Sequence, residues 1–325
     1  MNTQDMIPIP IREFISGLTV PVDLYVKLGD DKFVLIAKQG TKTQKDHLTS
    51  YKEKDVEYLW VEKAAYHKIS NQTIQLAGIV LSKKDLDSGK KTQVVTAAAQ
   101  TMFRHLDHLG LDEIAFSQAK QVADVTVQLV ECHSRISQLM DSLNQCSDDL
   151  LRHSMAVSAV STMLGQAHNW QGKGTMEKLA LGGLLHDIGK KALPDDLLKK
   201  ARVHMTFEEL QLYETHAFKG MDMATGLGLI PDDIVAMIYQ HHENSLGQGF
   251  PQRLRDLKTH PFARIVALAD AFVNLTVANP NCPVPKTAHE AVDYIELAMG
   301  QPFNKEAFRC LKRIVETEKR GTRSA

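Results

Sequence analysis

LALGGLLHDIGK, residues 179–190, is an apolar run that closes on a histidine, an aspartate, a glycine and a lysine. Its length and composition read as a buried helix ending at His186-Asp187. A lone histidine at a helix C-terminus usually serves as a dipole or hydrogen-bond partner. That reading weakens because the pattern recurs along the chain. His153 lies on a helix four residues after Asp149, and His216 lies late in a helix over 206–220. His241 and His242 end another apolar helix and open the glycine-rich stretch HHENSLGQGFP, 241–251. Asp270 sits in the middle of IVALADAFVNL, where a carboxylate is costly unless it is paired or binds a metal.

Five histidines and two aspartates thus lie on five separate helices, each beside apolar sequence. If those helices pack together, His153, His186, Asp187, His216, His241, His242 and Asp270 converge as nitrogen and oxygen ligands. Adjacent helical residues diverge by about 100°, so His241 and His242 suit two ions, or one ion and a bound oxyanion. Asp187 could bridge two metals through its two oxygens. Such pairs of ions share a hydroxide and clamp both oxygens of a phosphoryl displacement. A donor set without thiolate suits iron, manganese or another divalent ion that accepts imidazole, rather than a closed structural zinc site.

The rest of the chain is ordinary for a globular protein. It has 325 residues, 43% hydrophobic and 24% charged. The formal net charge of −1 gives no global pull toward DNA, RNA or anionic membrane. The four cysteines, Cys132, Cys146, Cys282 and Cys310, form no C-x-x-C pair. They read as reduced thiols of a cytoplasmic protein and argue against a zinc finger. MNTQDMIPIPIREF lacks the basic and apolar regions of a signal peptide, and no run of eighteen apolar residues occurs.

The pattern predicts an α+β protein in two parts. LTVPVDLYVK (18–27) and KFVLIAK (32–38), joined by the turn GDD at 29–31, read as a hairpin. A helix over 43–53, a strand over 56–62 and a further helix complete a small N-terminal α/β domain, residues 1–84. SKKDLDSGKK, 82–91, reads as a linker or exposed turn. Residues 92–325 read as an all-α bundle, with helical periodicity through VVTAAAQTMFRHL, 117–140, 149–167 and onward. Thr206 with Glu209, and Thr287 with Glu290, fit capping boxes. Pro231 marks a helix start, Gly300 a helix end, and Ser147 a candidate N-cap. Met155, Met163 and Met237 read as core packing.

LLHDIGK followed by LPDDLLKK resembles the HD superfamily of metal-dependent phosphohydrolases. HAFKG (216–220), HHENSLGQGFP and ARIVALAD (263–270) make the chain similar to the HD-GYP group, bacterial phosphodiesterases of cyclic di-GMP. The resemblance covers roughly residues 130–310. It implies a helical bundle around two divalent ions, iron or manganese, with His153, His186, Asp187, His216, His241, His242 and Asp270 as ligands. It also implies that Lys190 binds the substrate phosphate, and that a metal-bridging hydroxide attacks phosphorus in line. Some members hold a third metal through a glutamate four residues before the first histidine, where this chain has Asp149. The N-terminal part resembles a small domain often found ahead of HD-GYP domains, and its position suggests a regulatory role or a protein partner.

The departures matter. The family loop reads H-H-E-x-x-D-G-x-G-Y-P, and here Leu246 replaces the aspartate and Phe250 the tyrosine. Farther on the family reads D-x-x-D-A-L-T-x-x-R-P, and here Val273 replaces the second aspartate and Asn279 the arginine. Cys282 replaces a basic residue shortly after. The ligand set is complete while part of the substrate-recognition set is missing. The expected function is a metal-dependent phosphodiesterase of cyclic di-GMP, with Lys190 and Asp187 as catalytic residues. The alternatives are a metal-containing nucleotide receptor with little turnover, and an HD hydrolase of another phosphoester.

Overall fold

The computed structural model describes residues 3–14, 17–29, 32–43, 45–83, 85–133, 135–146, 148–170 and 172–322. The N-terminal part is a four-stranded antiparallel sheet of β1 (Met6–Pro10), β2 (Leu24–Gly29), β3 (Lys32–Ala37) and β4 (Tyr58–Glu62), in the order β1-β4-β2-β3. Helix α1 (Lys45–Lys52) precedes β4. β1 was not expected, because Pro8 and Pro10 argue against a strand. It lies at the sheet edge, where a residue without an N–H is tolerated. Ile7 and Ile9 pair with Val61 and Leu59, and all four are buried in the N-terminal core. Residues 30 and 31 of the hairpin turn lie outside the described residues.

Helix α2 (Tyr66–Leu81) serves both parts of the molecule. Tyr66 and Ile69 lie in the sheet's core, whereas Ile74, Ala77 and Leu81 lie in the core of the helical part. The Tyr66 hydroxyl donates to the Thr101 carbonyl at 2.9 Å, and Arg104 grips Glu13 with two bonds of 2.7 and 2.8 Å.

The helical part runs α3 (Ser88–Leu109), α4 (Glu113–Glu131), α5 (Ile136–Leu143), α6 (Asp149–Ala167) and α7 (Lys173–Leu185). It continues through α8 (Asp195–Leu198), α9 (Phe207–Leu227), α10 (Asp232–Gln240), α11 (Pro261–Thr276), α12 (Ala288–Asp293) and α13 (Lys305–Thr322). Two expectations change. The segment 82–91 is not all linker, because Asp87 caps α3 by accepting from the Lys90 N–H, and Gly89 to Lys91 are helical. The pattern over 117–140 is two helices, divided after Glu131. There the buried His133 faces the Leu129 carbonyl at 3.0 Å and Thr92 of α3 at 3.3 Å. Periodicity cannot register such a break, because α5 presents an apolar face of its own.

Ser147 lies outside the described residues, and the N-cap of α6 is Asp148, which accepts from the Leu151 N–H at 2.8 Å. Both capping boxes form, at Thr206 and Thr287. Met155, Met163 and Met237 are buried in the core. α7 packs against α4, α6, α10 and α11, and α9 lies over the 3-10 turn Ile188–Ala192 that follows α7. This arrangement brings the ends or middles of five helices to one place. No helix among the described residues is long and apolar enough to cross a membrane.

Candidate metal centre

α6 carries His153, and the end of α7 carries His186 and Asp187. α9 carries His216, the residues just past α10 are His241 and His242, and α11 carries Asp270. Two glycines permit the approach. A Cβ on Gly189 would lie 1.9 Å from the His216 carbonyl oxygen, so only glycine lets the HDIG turn reach α9. A Cβ on Gly249 would lie 2.2 Å from the His242 carbonyl oxygen, which lets the glycine-rich loop fold back over the histidine pair.

All seven side chains converge, in two groups: His153, His186 and Asp270, and Asp187, His216, His241 and His242. Within the first, His153 Nε2 is 2.9 Å from Asp270 Oδ1 and 3.2 Å from His186 Nε2. Within the second, His216 Nε2 is 3.3 Å from His241 Nε2 and 3.1 Å from His242 Nε2. Asp187 stands between them. Its Oδ2 is 3.3 Å from His186 Nε2 and 3.5 Å from His153 Nε2. Its Oδ1 is 3.4 Å from His216 Nε2 and 3.6 Å from His241 Nε2. Each oxygen therefore addresses a different group.

The backbone fixes how the imidazoles present themselves. His186, His216 and His241 each place Nδ1 on the carbonyl three residues earlier, at 2.7, 2.6 and 2.8 Å. With the proton on Nδ1, Nε2 offers a lone pair to the centre. Burial pushes the His216 pKa down to about 3. Burial, with His241 and His216 alongside, holds His242 well below its ordinary value. Both rings are neutral at pH 7. Burial opposes ionisation of Asp187, but Lys190 and His186 outweigh it and hold the carboxyl well below its usual range. Burial likewise opposes the charge on Asp270, and the His153 hydrogen bond and charge bring its pKa to about 2.

His216, His242, Asp187 and Asp270 are thus held in their deprotonated forms, as metal binding requires. Asp187 Oδ1 is buried without a hydrogen-bond partner. An orphaned carboxylate oxygen facing inward lone pairs is unfavourable in protein alone and suits a cation between them. The donor set fits divalent metal.

The other expected residues fall as follows. Lys190 Nζ contacts Asp187 Oδ2 at 2.5 Å and lies 5.5 Å from the centre of the Tyr213 ring. Its pKa is raised, because the Asp187 carboxylate outweighs the cost of burial. Asp149 belongs to neither ligand group; its carboxylate, 69% exposed, is gripped by Arg152 at 2.6 Å. Leu246 is exposed, and Phe250 covers His242 with ring centres 4.4 Å apart. Val273 is wholly buried in the apolar core. Asn279 spends its amide on its own loop. Nδ2 donates to the carbonyls of Asn274 and Val277 at 2.9 and 2.8 Å, and Oδ1 accepts from the N–H groups of Asn281 and Cys282 at 2.9 and 3.1 Å. The cysteines are free.

Several residues were not singled out from the sequence. Asn274 Nδ2 donates to Asp270 Oδ1 at 2.8 Å, one helical turn along α11. Glu243, buried, accepts from the N–H groups of Gln252 and Leu254 at 2.6 and 2.8 Å and so ties down the loop after the histidine pair. Spacing i,i+4 was a usable signal for Asn274, and the glutamate of the H-H-E loop pattern was one for Glu243. Two cavities of about 550 Å³ each open beside the centre. One reaches His153, Lys190 and Asn279, the other His241, His242, Phe250 and Asp270, and both include Arg202, Tyr213, Asn274 and Asn281.

The sequence pattern of the HD domain family matches residues 133–306, more than half of the chain. A cyclic di-GMP phosphodiesterase of Pseudomonas aeruginosa, PA4108, is 28% identical over 57% of this chain and 44% of its own length. A cyclic di-GMP phosphodiesterase of Thermotoga maritima is 30% identical over 40% of this chain and 35% of its own length. The response regulator RpfG of Xanthomonas campestris, named a cyclic di-GMP phosphodiesterase, is 32% identical over 40% and 34%. The chain therefore spans less than half the length of these relatives. Among solved structures, Bd1817, an HDG"Y"P protein of Bdellovibrio bacteriovorus, shares the fold with a TM-score of 0.69 at 21% identity, over 96% of this chain and all of that one. The chain belongs to the HD domain family, and its relatives and fold support its place in the HD-GYP group.

Proposed function

We propose that the protein is a metal-dependent phosphodiesterase that hydrolyses cyclic di-GMP. The observation that carries this reading is the division of Asp187, with Oδ1 toward His216 and His241 and Oδ2 toward His153 and His186. In this reading His153, His186 and Asp270 would hold one divalent ion and His216, His241 and His242 a second, with Asp187 available to both. Iron or manganese suits a set of five imidazoles and two carboxylates. Bound there, the ions would acidify a water molecule for attack at phosphorus and neutralise charge on the phosphoryl oxygens.

The chain's own residues do the rest. Lys190, kept cationic by Asp187, lines the cavity and meets a phosphate oxygen. Phe250, stacked on His242, and buried Glu243 keep the loop over the centre and limit water. No side chain at the site is an evident general acid for the leaving oxygen. Residues 1–84 form a regulatory or interaction unit ahead of an HD-GYP unit, 92–325. Support comes from the two separate hydrophobic cores, which α2 joins at its two ends. The relatives' names support the cyclic dinucleotide as substrate.

A second reading has its own support. Asn279 and Val273 are unavailable to a ligand, and Phe250 lacks a hydroxyl, which favours a metal-containing nucleotide receptor with weak turnover. A third, hydrolysis of another phosphoester, is separated by a substrate panel. Elemental analysis of protein purified without added metal, paired with an anaerobic hydrolysis assay, decides. Two equivalents of metal with turnover of cyclic di-GMP support the first reading. Metal with binding but no turnover supports the second, and absence of metal removes both.

A further inference from the structure

Arg202 is the cation at the site with the most unspent hydrogen-bonding capacity. Its backbone N–H donates to Asn281 Oδ1 at 2.7 Å, which ties it to the loop where the family arginine is missing. Its guanidinium carbon lies 5.5 Å from the centre of the Tyr213 ring, and Lys190 Nζ lies equally far from that ring, at 5.5 Å. Its ion pair with Glu214, at 3.9 Å, is too long for a hydrogen bond. The guanidinium donates no hydrogen bond among the described residues. Arg202 also lines both cavities beside the metal centre. The lysines at the site, Lys190, Lys199 and Lys200, border one cavity rather than both, and Lys190 and Lys200 already pair with Asp187 and Glu209.

A planar fork held by an aromatic face, whose donors make no hydrogen bond among the described residues, is built for an acceptor pair such as two phosphate oxygens or the O6/N7 edge of guanine. We infer that Arg202 is the substrate-recognition arginine of this protein, replacing from a different segment the guanidinium absent at position 279. Asn279 is then free to act as a loop clasp, as its four hydrogen bonds show. The inference rests on the reading of the site as one for a cyclic dinucleotide. It explains how the chain can lack the family arginine without losing a guanidinium at the cavity.

The test is calorimetric binding of phosphorothioate analogues of cyclic di-GMP and cyclic di-AMP to the metal-loaded, full-length protein. Metal content and thermal midpoint serve as controls. Arg202→Ala should weaken the cyclic di-GMP analogue about ten- to a hundredfold, as expected for loss of a charge-assisted contact. Metal content and midpoint should not change. Arg202→Lys should recover only part, since an ammonium cannot form the fork. Equal losses for the two dinucleotides assign the contact to phosphate, and a loss confined to cyclic di-GMP assigns it to guanine. Both outcomes support the role. Unchanged affinity in Arg202→Ala overturns the inference and leaves the functional reading standing. A wild-type protein that carries metal but binds neither dinucleotide overturns both.

Discussion

His216 Nε2 and His241 Nε2 face each other across 3.3 Å, while the Nδ1 of each ring sits on a backbone carbonyl. Two nitrogens whose protons are committed elsewhere meet lone pair to lone pair. The contact is repulsive unless something positive lies near both, and burial keeps His216 from taking up a proton. Asp187 Oδ1, at 3.4 Å from one and 3.6 Å from the other, is itself unpartnered. A cation held between these groups would relieve the arrangement, as the proposed metal centre requires.

Asp187→Ala removes the carboxylate whose two oxygens face the two groups of candidate ligands. Metal content should fall at least about tenfold at both positions, because even an outer-shell partner is worth that much. Hydrolysis should be lost with it. Elemental analysis is the check, and a variant that retains two ions would sink the shared-ligand assignment.

The metal-free protein should be acid-labile. His216 has a folded pKa of about 3 against an ordinary 6.5. Below pH 6.5 the unfolded chain takes up a proton that the folded chain refuses. Stability is full above pH 6.5 and falls as pH drops toward 3, by up to about 1.4 kcal/mol per unit for this group. Asp270, at about 2 against 3.8, adds a further loss as pH falls through that interval. Urea midpoints across pH 3–8, with His216→Gln as comparison, measure it; the variant should show the flatter curve above pH 3.

Asn274 holds Asp270 from one turn away. It stands just after Val273, where the family pattern has alanine. Asn274→Ala should weaken metal binding by about ten- to a hundredfold while leaving the fold intact, as removal of outer-shell hydrogen bonds does. Titration of metal into the stripped protein reads this directly. Equal affinities in the two proteins would show that Asp270 needs no support.

Glu243→Ala leaves the N–H groups of Gln252 and Leu254 without their acceptor. The cost should be about 2–4 kcal/mol, since both bonds are charge-assisted. Loop amides 244–254 should lose protection in hydrogen exchange, with α6 and α7 unaffected. Protection that stays uniform would remove the loop-tying role.

The sequence by itself determined the α+β class, the helices that bear the candidate ligands and the identity of all seven converging side chains. Apolar periodicity marks which face of a helix is buried, and a charged or imidazole group on that face must find a partner. Its limits are equally physical. Pro8 and Pro10 hid an edge strand, because sheet position is not local. The break after Glu131 was invisible because apolar periodicity resumes in α5.

Only the tertiary structure decided that Asp187 divides its oxygens between two groups, that Asn274 and Glu243 support the site, that Asn279 is consumed by its own loop and that Arg202 borders both cavities. These relations join residues whose separation is set by how helices cross. Crossing geometry depends on the shapes of surfaces far apart in the chain, and single-chain periodicity carries no record of it.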